Sequence, residues 1–261
     1  DSSFTFSANK NEIVELVKDY VHPETGKTYN VDKLELKTDE GRGFGKAKFI
    51  LKEGGTLGDL YTHADLKRDI NGNILIDDSG NVTAIDNAGD IKLGSVLPKA
   101  NLAWNNSFSY KGINAGFLLT ARLGGIVYSA TQAYLDLYGV SETSAAARDA
   151  GGVWINGRSH VNPQSFYEVV ASQSGLPTYY TYSATNLRLQ EAHIGYTVPR
   201  RWLGNVCDIN VSLVGRNLWM IYCKAPFDPE AVATTNNYYQ GIDYFMMPST
   251  RNIGFNIKIN F

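Results

Sequence analysis

Long hydrophobic runs are missing from this chain, although 43% of its 261 residues are apolar. No stretch approaches the ~18 consecutive apolar residues that mark a membrane-spanning helix. This absence excludes a helical membrane protein, but it leaves open a transmembrane β-barrel, whose alternating strands are only mildly apolar. The chain also starts without Met, in "DSSFTFSANKN", which is typical of the middle of a strand. We therefore expect it to be part of a longer protein.

The chain has no excess of positive charge and few cysteines. The formal net charge is -2 and no run of Lys or Arg stands out, which argues against a nucleic-acid-binding protein. The two cysteines, Cys207 and Cys223, flank a predicted strand and would lie on the order of 50 Å apart. A disulfide needs Cα atoms within about 7 Å. We therefore expect two free thiols.

Signatures of catalysis and metal binding are absent from the sequence. Its four histidines lack the spacing of metal ligands, and no nucleophile-elbow, Walker or dinucleotide-binding motif occurs in the required context. The segment "DINGNILIDDSG" resembles a calcium loop, but Ile74 stands at the Gly position and Gly80 at the Glu position. We interpret it as a polar turn. The sequence thus predicts that the protein is not an enzyme and has no cofactor and no metal.

Alternation of apolar and polar residues is the dominant pattern, and it predicts β-strands. The last eleven residues, "RNIGFNIKINF", alternate without a break. A tight turn at Lys111-Gly112 joins two segments of about ten residues, the length that a tilted strand needs to cross a bilayer. Farther along, the apolar positions change register near Glu191, which predicts a β-bulge. The predicted long strands are 2–9, 101–110, 113–123, 185–198, 208–222 and 251–261.

The connections between these strands alternate in length. They are short at residues 111–112 and 199–207 and long at about 127–184 and 223–250. Outer-membrane barrels show this asymmetry, with short periplasmic turns and long extracellular loops. The sequence therefore predicts an all-β fold, a transmembrane antiparallel β-barrel whose C-terminus lies on the periplasmic side. We expect six to eight barrel strands in this chain. A barrel of so few strands is of the narrowest kind, so we expect these to be the C-terminal strands of a larger barrel.

The first hundred residues and the long connections are less regular. We expect a short helix in "NEIVELVKDY", strands within residues 43–55 and 56–63, and a small hairpin within 67–82. The Ala-rich part of "QAYLDLYGVSETSAAARDAGG" predicts a helical turn or two.

Several segments, in order along the chain, carry a family resemblance. They are "EGGTLGDLY", "KLGSVLPKANLAWNNSFSYKGINAGFLLTARLGGIVYSATQAYLDLYGV", "NLRLQEAHIGYTVPRRWL", "VSLVGRNLWMIY", "FDPE" and "GIDYFMMPSTRNIGFNIKINF". From about residue 50 to its end, the chain resembles the C-terminal part of SusC/RagA-like TonB-dependent transporters of Bacteroidetes outer membranes. Residues 10–45 match least.

The resemblance implies a barrel of about 22 strands that works with a SusD-like surface lipoprotein. It implies an N-terminal plug and a TonB-contacting segment, neither of which we expect within residues 1–261. It also implies import of oligosaccharides or peptides, without indicating which of the two.

The terminal strand has two interpretations, which are compatible. Its alternation describes a lipid face and a lumen face, and a final aromatic residue also resembles the C-terminal signal read by the outer-membrane assembly machinery. The residues of this predicted signal are Ile253, Phe255, Ile257, Ile259 and Phe261.

Aromatic residues lie near the ends of several predicted strands. In a membrane they form an interfacial girdle, and in a soluble protein they belong to an ordinary sheet core. We predict girdle positions at Tyr110, Tyr196, Trp202, Trp219 and Tyr222. Trp104 lies at a similar position.

The aromatics of the long connections also have two interpretations. They line a substrate chamber, or they pack the loops on themselves or against the lipoprotein. The candidates for substrate or partner contact are Trp154, Tyr179, Tyr180, Tyr182, Tyr238 and Tyr239.

Two other functions stay open at this point. One is a passive outer-membrane channel or a small complete barrel, which has no plug. The other is a soluble secreted β-sandwich binding module, in which the apolar faces of the strands are buried. The membrane interpretation instead predicts that Ile253, Phe255 and Ile257 contact lipid.

Overall fold

The computed structural model describes residues 1–36, 44–157, 159–204, 206–233 and 239–260. Two candidate residues, Tyr238 and Phe261, lie outside the described residues. The strands are β1 (Ser2–Ala8), β2 (Val17–Val21), β3 (Thr28–Val31), β4 (Lys33–Glu35), β5 (Ala47–Lys52), β6 (Asp59–Thr62), β7 (Asp65–Leu66), β8 (Ala84–Ile85), β9 (Ile91–Ser95), β10 (Ala100–Tyr110), β11 (Ile113–Leu123), β12 (Ile126–Ser129), β13 (Val153–Ile155), β14 (Ser159–Val161), β15 (Thr181–Ser183), β16 (Asn186–Val198), β17 (Asp208–Cys223), β18 (Ile242–Asp243) and β19 (Asn252–Asn260). The α-helices are α1 (Ala130–Leu137), α2 (Glu142–Asp149), α3 (Pro163–Val170) and α4 (Pro177–Tyr180).

The long strands form one antiparallel sheet in the order β1-β10-β11-β16-β17-β19, which we call the wall. The strands predicted from alternation are confirmed to within one or two residues at each described end. Lys111 and Gly112 both have positive φ, +48° and +86°, as a two-residue type I′ hairpin turn requires. The predicted bulge is also confirmed, because the register of β16 shifts on both sides at Leu189–Glu191.

The two ends of the wall differ in what they carry. The connections 111–112 and 199–207 lie at one end, which we call the short-connection end, together with the start of β1 and the end of β19. The second of these connections contains a 3-10 turn, Arg200–Leu203, that ends at Gly204 with φ +64°. The long connections emerge at the opposite end, as the sequence predicted.

The long connections pack on one another into a separate unit, which we call the cap (described residues of 9–99, 124–185 and 224–251). The main hydrophobic core lies in the cap and not against the wall. Its largest buried side chains come from different connections, among them Leu60, Tyr128, Leu176 and Ile242. Apolar surface is therefore buried where the loops meet, and the described residues place no such cover on the longest strands.

The cap contains more helix than predicted. The Ala-rich segment forms α2, as expected, but α1 and α3 were not predicted. Each of these three helices begins at a side-chain N-cap: Ser129, Ser141 and Asn162 accept hydrogen bonds from backbone N–H groups of the first turn. Pro163 follows at the first helical position of α3, where its missing N–H costs nothing.

The helix predicted in "NEIVELVKDY" is wrong. The last four residues of this segment, 17–20, belong to β2, which pairs with β3. Ile13 instead exchanges backbone hydrogen bonds with a distant turn, because its N–H donates to Gly55 and its carbonyl accepts from Gly54. These long-range bonds occupy the groups that a helix would use, so tertiary pairing overrides the helical periodicity.

No helix in the described ranges is long and apolar enough to span a membrane.

Candidate functional site

The wall has one apolar face and one polar face. Residues directly opposite each other on paired strands point to the same side of a sheet. One such row crosses five strands and is wholly apolar: Phe108, Ala115, Ile194, Leu213 and Phe255. The adjacent row on the opposite face is small or polar: Ser109, Asn114, Gly195, Ser212 and Asn256.

The apolar face of the wall is exposed in this chain. Phe255 is 78% exposed and Leu213, its neighbour on β17, is 54% exposed. Soluble proteins rarely expose apolar surface over a continuous patch of this extent. A β-sandwich would bury this face against a second sheet, and the described residues place no sheet there. Lipid is the environment that suits it.

The predicted terminal signal lies at the edge of this face. Ile257 and Ile259 pair with Val211 and Ile209 on β17, and Ile253 pairs with Gly215. All four described signal residues point to the apolar face and are exposed, whereas Phe261 lies outside the described residues. The placement fits a lipid-facing strand, and the role of these residues in assembly stays a prediction.

The predicted girdle residues divide between the two ends of the wall. Tyr110 and Tyr196 both pair with Ile113 at the short-connection end, and Trp202 follows in the 3-10 turn. Trp219 and Tyr222 lie near the cap, and Trp104 shares a row with Trp219. The rows of Tyr196 and Tyr222 cross β11 at Ile113 and Ala121, eight positions apart, because Ala121 pairs with Leu187 and Leu187 pairs with Tyr222. At about 3.3 Å per residue and a tilt of ~40°, this corresponds to a height of roughly 20 Å, most of the ~25 Å apolar band of outer-membrane barrels.

The candidate loop aromatics occupy three kinds of environment. Trp154 is 61% exposed on β13, and its ring lies edge-on to His160 at a centroid distance of 3.7 Å. Tyr182 and Tyr239 are half-buried and contact Phe227 and Phe44, with ring centroids 5.6 Å and 6.5 Å apart. Tyr238 lies outside the described residues.

Tyr179 and Tyr180 belong to the packing of the cap. Tyr180 is 2% exposed, and its hydroxyl donates to Asp136 Oδ2 at 3.0 Å. Burial, with the nearby Asp136 carboxylate, raises the pKa of Tyr180, so the phenol stays a neutral donor. Burial likewise raises the pKa of Tyr182 to about 12. Of the described candidates, Trp154 is therefore the one most open to a ligand in this chain.

An ion-pair cluster that the sequence did not predict joins the cap to the polar face of the wall. Arg188 on β16 donates to both carboxylate oxygens of Asp228, at 2.7 Å and 3.1 Å, and its Nη2 lies 3.1 Å from Glu230 Oε2. Its Nε donates to Asn186 Oδ1 at 3.3 Å. The Arg188 side chain is only 5% exposed, so the guanidinium is fully partnered where it is buried.

The carboxylates of this cluster belong to "FDPE", one of the segments that carried the family resemblance. Burial opposes ionisation of Asp228, but hydrogen bonds from Arg188 and from the backbone N–H of Glu230 outweigh it and lower the pKa of Asp228. The sequence therefore contained the two carboxylates as part of a family motif. Nothing in the sequence identified Arg188 as their partner.

The calcium-like segment forms two successive polar turns. Asp69 Oδ1 accepts from the N–H groups of Asn71 and Asn73, each at 2.8 Å, and Asp77 Oδ1 accepts from Ser79 and Asn81 in the same way. These carboxylates satisfy their own backbone, as in an Asx-turn. Across the described ranges, no group of three His, Cys, Asp or Glu side chains is arranged to hold a metal ion.

An antiparallel wall with an exposed apolar face, a polar opposite face and long connections at one end is part of a transmembrane β-barrel of the outer-membrane type. No family model matches the chain. In sequence it is 24% identical over 284 residues to TonB-dependent receptor P3 of Formosa agariphila, covering 98% of this chain and 26% of that protein.

The fold is similar to solved structures of one transporter. The chain matches the RagAB peptide importer in its closed-closed state with a TM-score of 0.61 at 16% identity, over 100% of this chain and 27% of that one. The match to the open-open state has a TM-score of 0.55 at 17% identity. The predicted resemblance to SusC/RagA-like TonB-dependent transporters is thereby confirmed, and these relatives are a receptor and an importer rather than enzymes. The chain spans about a quarter of the length of each.

Proposed function

We propose that this chain is the C-terminal barrel portion of a TonB-dependent outer-membrane importer of oligosaccharides or peptides. The observation that carries the proposal is the wall itself: an exposed apolar face beside a polar one, on a fold that matches an importer along the whole chain. The plug, and the segment through which the TonB complex acts, belong to the part of the protein outside residues 1–261.

The mechanism is physical rather than chemical. Substrate binds on the cap side of the barrel, where a SusD-like lipoprotein closes over it. Force transmitted through TonB then displaces the plug and opens a path along the polar face of the wall. In this scheme the short-connection end and the C-terminus are periplasmic, and the cap is extracellular.

The buried cluster at Arg188 has a positioning role in this scheme. It fixes the start of the last long connection, residues 224–233, to the polar face on the lumen side. A loop fixed at its base presents the aromatic residues of the cap in one arrangement, which reduces the entropy lost when cargo or lipoprotein binds.

Uptake by the full-length protein tests the proposal. Cells that express it together with a SusD-like lipoprotein are supplied with labelled oligopeptides or oligosaccharides, with and without a protonophore. An active importer accumulates one of the two cargo classes, and the protonophore abolishes the accumulation. Uptake that survives the protonophore identifies a passive channel, and extraction of the protein without detergent contradicts the membrane location.

A further inference from the structure

Basic and aromatic side chains form one surface at the short-connection end of the wall, which we call the basic girdle: Tyr110, Lys111, Tyr196, Arg200, Arg201 and Trp202. The two connections that supply it are neighbours. The N–H of Thr197, beside Tyr196, donates to the carbonyl of Gly112 at 2.7 Å. A Cβ built on Gly112 would lie 3.1 Å from the Tyr196 ring. The two connections, and the six residues they carry or adjoin, therefore lie side by side at this end of the wall.

Lys111 has a conformation that the turn alone does not favour. Its φ is +48°, at a hairpin position where Asn, Asp or Gly is preferred. Its Nζ lies 5.2 Å from the centroid of the Tyr110 ring, within the range of a cation–π contact. The lysine thus holds a positive charge directly over an aromatic ring of the apolar face.

The charge of this surface is only partly balanced. Arg200 Nε lies 3.6 Å from Asp208 Oδ2, in a half-exposed pair. Arg201 and Lys111 are exposed, and neither makes an ion pair with any residue in the described part of the chain. Among the described residues, the other carboxylate side chain at this end is that of Asp1, next to β1. Arg201 therefore adjoins the exposed Trp202 in sequence without an ion pair, and Lys111 adds a second such cation on the neighbouring connection.

We propose that the basic girdle binds the phosphate groups of anionic phospholipids in the leaflet at this end of the wall. Guanidinium and ammonium groups supply charge and hydrogen bonds to phosphate, and Trp and Tyr rings prefer the headgroup level. Tyr110 and Tyr196 continue into the apolar face through Ile113, with which both pair. A ligand with a phosphate head and an acyl tail contacts the cations and the apolar face together. Free phosphate contacts only the cations. The inference requires the wall to lie in a membrane and does not depend on which cargo is imported.

Photo-crosslinking in the full-length protein tests the inference. Trp202 is replaced by a photoreactive phenylalanine analogue, and the protein is placed in nanodiscs that mix phosphatidylethanolamine and phosphatidylglycerol at a known ratio. Mass spectrometry then gives the ratio of the two lipids in the adduct. We expect phosphatidylglycerol to be enriched over its share of the nanodisc, and free inorganic phosphate to reduce the enrichment little.

Variants in the same background distinguish the basic girdle from general charge. Arg201→Gln lowers the enrichment roughly fivefold at most, and Lys111→Gln/Arg201→Gln lowers it further, toward the bulk ratio. Lys27→Gln/Lys67→Gln, which removes two exposed lysines of the cap, leaves it unchanged. Because Arg201 lies in an exposed turn, its single variant keeps the test valid even if Lys111→Gln disturbs the hairpin. Adducts at the bulk lipid ratio in the parent protein, or equal enrichment in all variants, overturn the inference.

Discussion

Arg188 and Asp228 form a bidentate ion pair across 40 residues of sequence and hold the last long connection against the wall. Their hydrogen bonds are 3.1 Å and 2.7 Å long, and the guanidinium is almost completely buried. Replacing Asp228 removes both hydrogen bonds and leaves Glu230 as the carboxylate beside the buried guanidinium. The cost should therefore approach, without reaching, the ~3–5 kcal/mol typical of a broken buried pair.

Asp228→Asn is therefore expected to loosen residues 224–233 strongly while the wall stays intact. Hydrogen exchange on the full-length protein measures this as lost protection in that segment. Arg216→Gln is the matched control, because it breaks the Arg216–Glu191 pair, whose arginine is largely exposed and whose loss costs about 1 kcal/mol or less. Equal loss of protection in both variants would contradict a special role for the buried pair.

Acid is expected to release the same segment. The pKa of Asp228 is lower in the folded protein than the ordinary value of ~3.9. A group with a lowered folded pKa contributes stability above its unfolded pKa and loses that contribution as the pH falls through the folded pKa. Protection of residues 224–233 should thus be constant near neutrality and fall only in acid. In Asp228→Asn this acid-dependent step should be missing, and a step that persists would assign it to another group.

Tyr180→Phe is expected to weaken the cap. Within the described part of the chain, the Tyr180 hydroxyl is one of three side-chain donors to the buried Asp136, beside Ser141 and Gln132. Its removal leaves the carboxylate under-satisfied, which costs ~1–3 kcal/mol. Loss of exchange protection in α1 and α4 is the readout. Tyr138→Phe removes a hydroxyl from an exposed ring and should change nothing; a Tyr180→Phe protein as stable as this control would argue against the assigned role.

Trp154→Ala is expected to act on cargo rather than on stability. The ring is exposed on the β13–β14 hairpin, so its removal should change the free energy of unfolding by less than about 0.5 kcal/mol. An aromatic contact of ~0.5–1.5 kcal/mol with cargo would raise the KM for uptake about two- to tenfold. Tyr138→Ala, at a second exposed ring of the cap, serves as the comparison. Unchanged uptake in Trp154→Ala, or the same change in both, would remove Trp154 from the cargo path.

The sequence predicted the wall far better than the cap, for physical reasons. A membrane strand alternates apolar and polar residues along its length, so this two-residue period alone predicts β10, β11 and β17. Turns with positive φ, such as Lys111-Gly112, then set how neighbouring strands pair. The helices α1 and α3 are eight residues each and depend on tertiary packing, so their periodicity is weak. Their N-caps at Ser129 and Asn162 were the signal available.

The contacts of the candidate site were less predictable still. Whether an aromatic such as Trp154 or Tyr180 is exposed depends on how three distant connections pack. The same holds for the Arg188–Asp228 pair, since its residues lie on β16 and beyond β17 and only the register of the wall brings them together.

Accessibility of spin labels on β19 tests the central claim most directly. Single labels are placed at Phe255, on the apolar face, and at Asn256, on the polar face, in the full-length protein in lipid bilayers. If β19 is part of a membrane-spanning wall, the label at 255 collides with lipid-soluble oxygen and is shielded from a water-soluble nickel chelate, and the label at 256 shows the reverse preference. A label at 255 that is as accessible to the nickel chelate as the one at 256 would contradict the membrane-spanning wall.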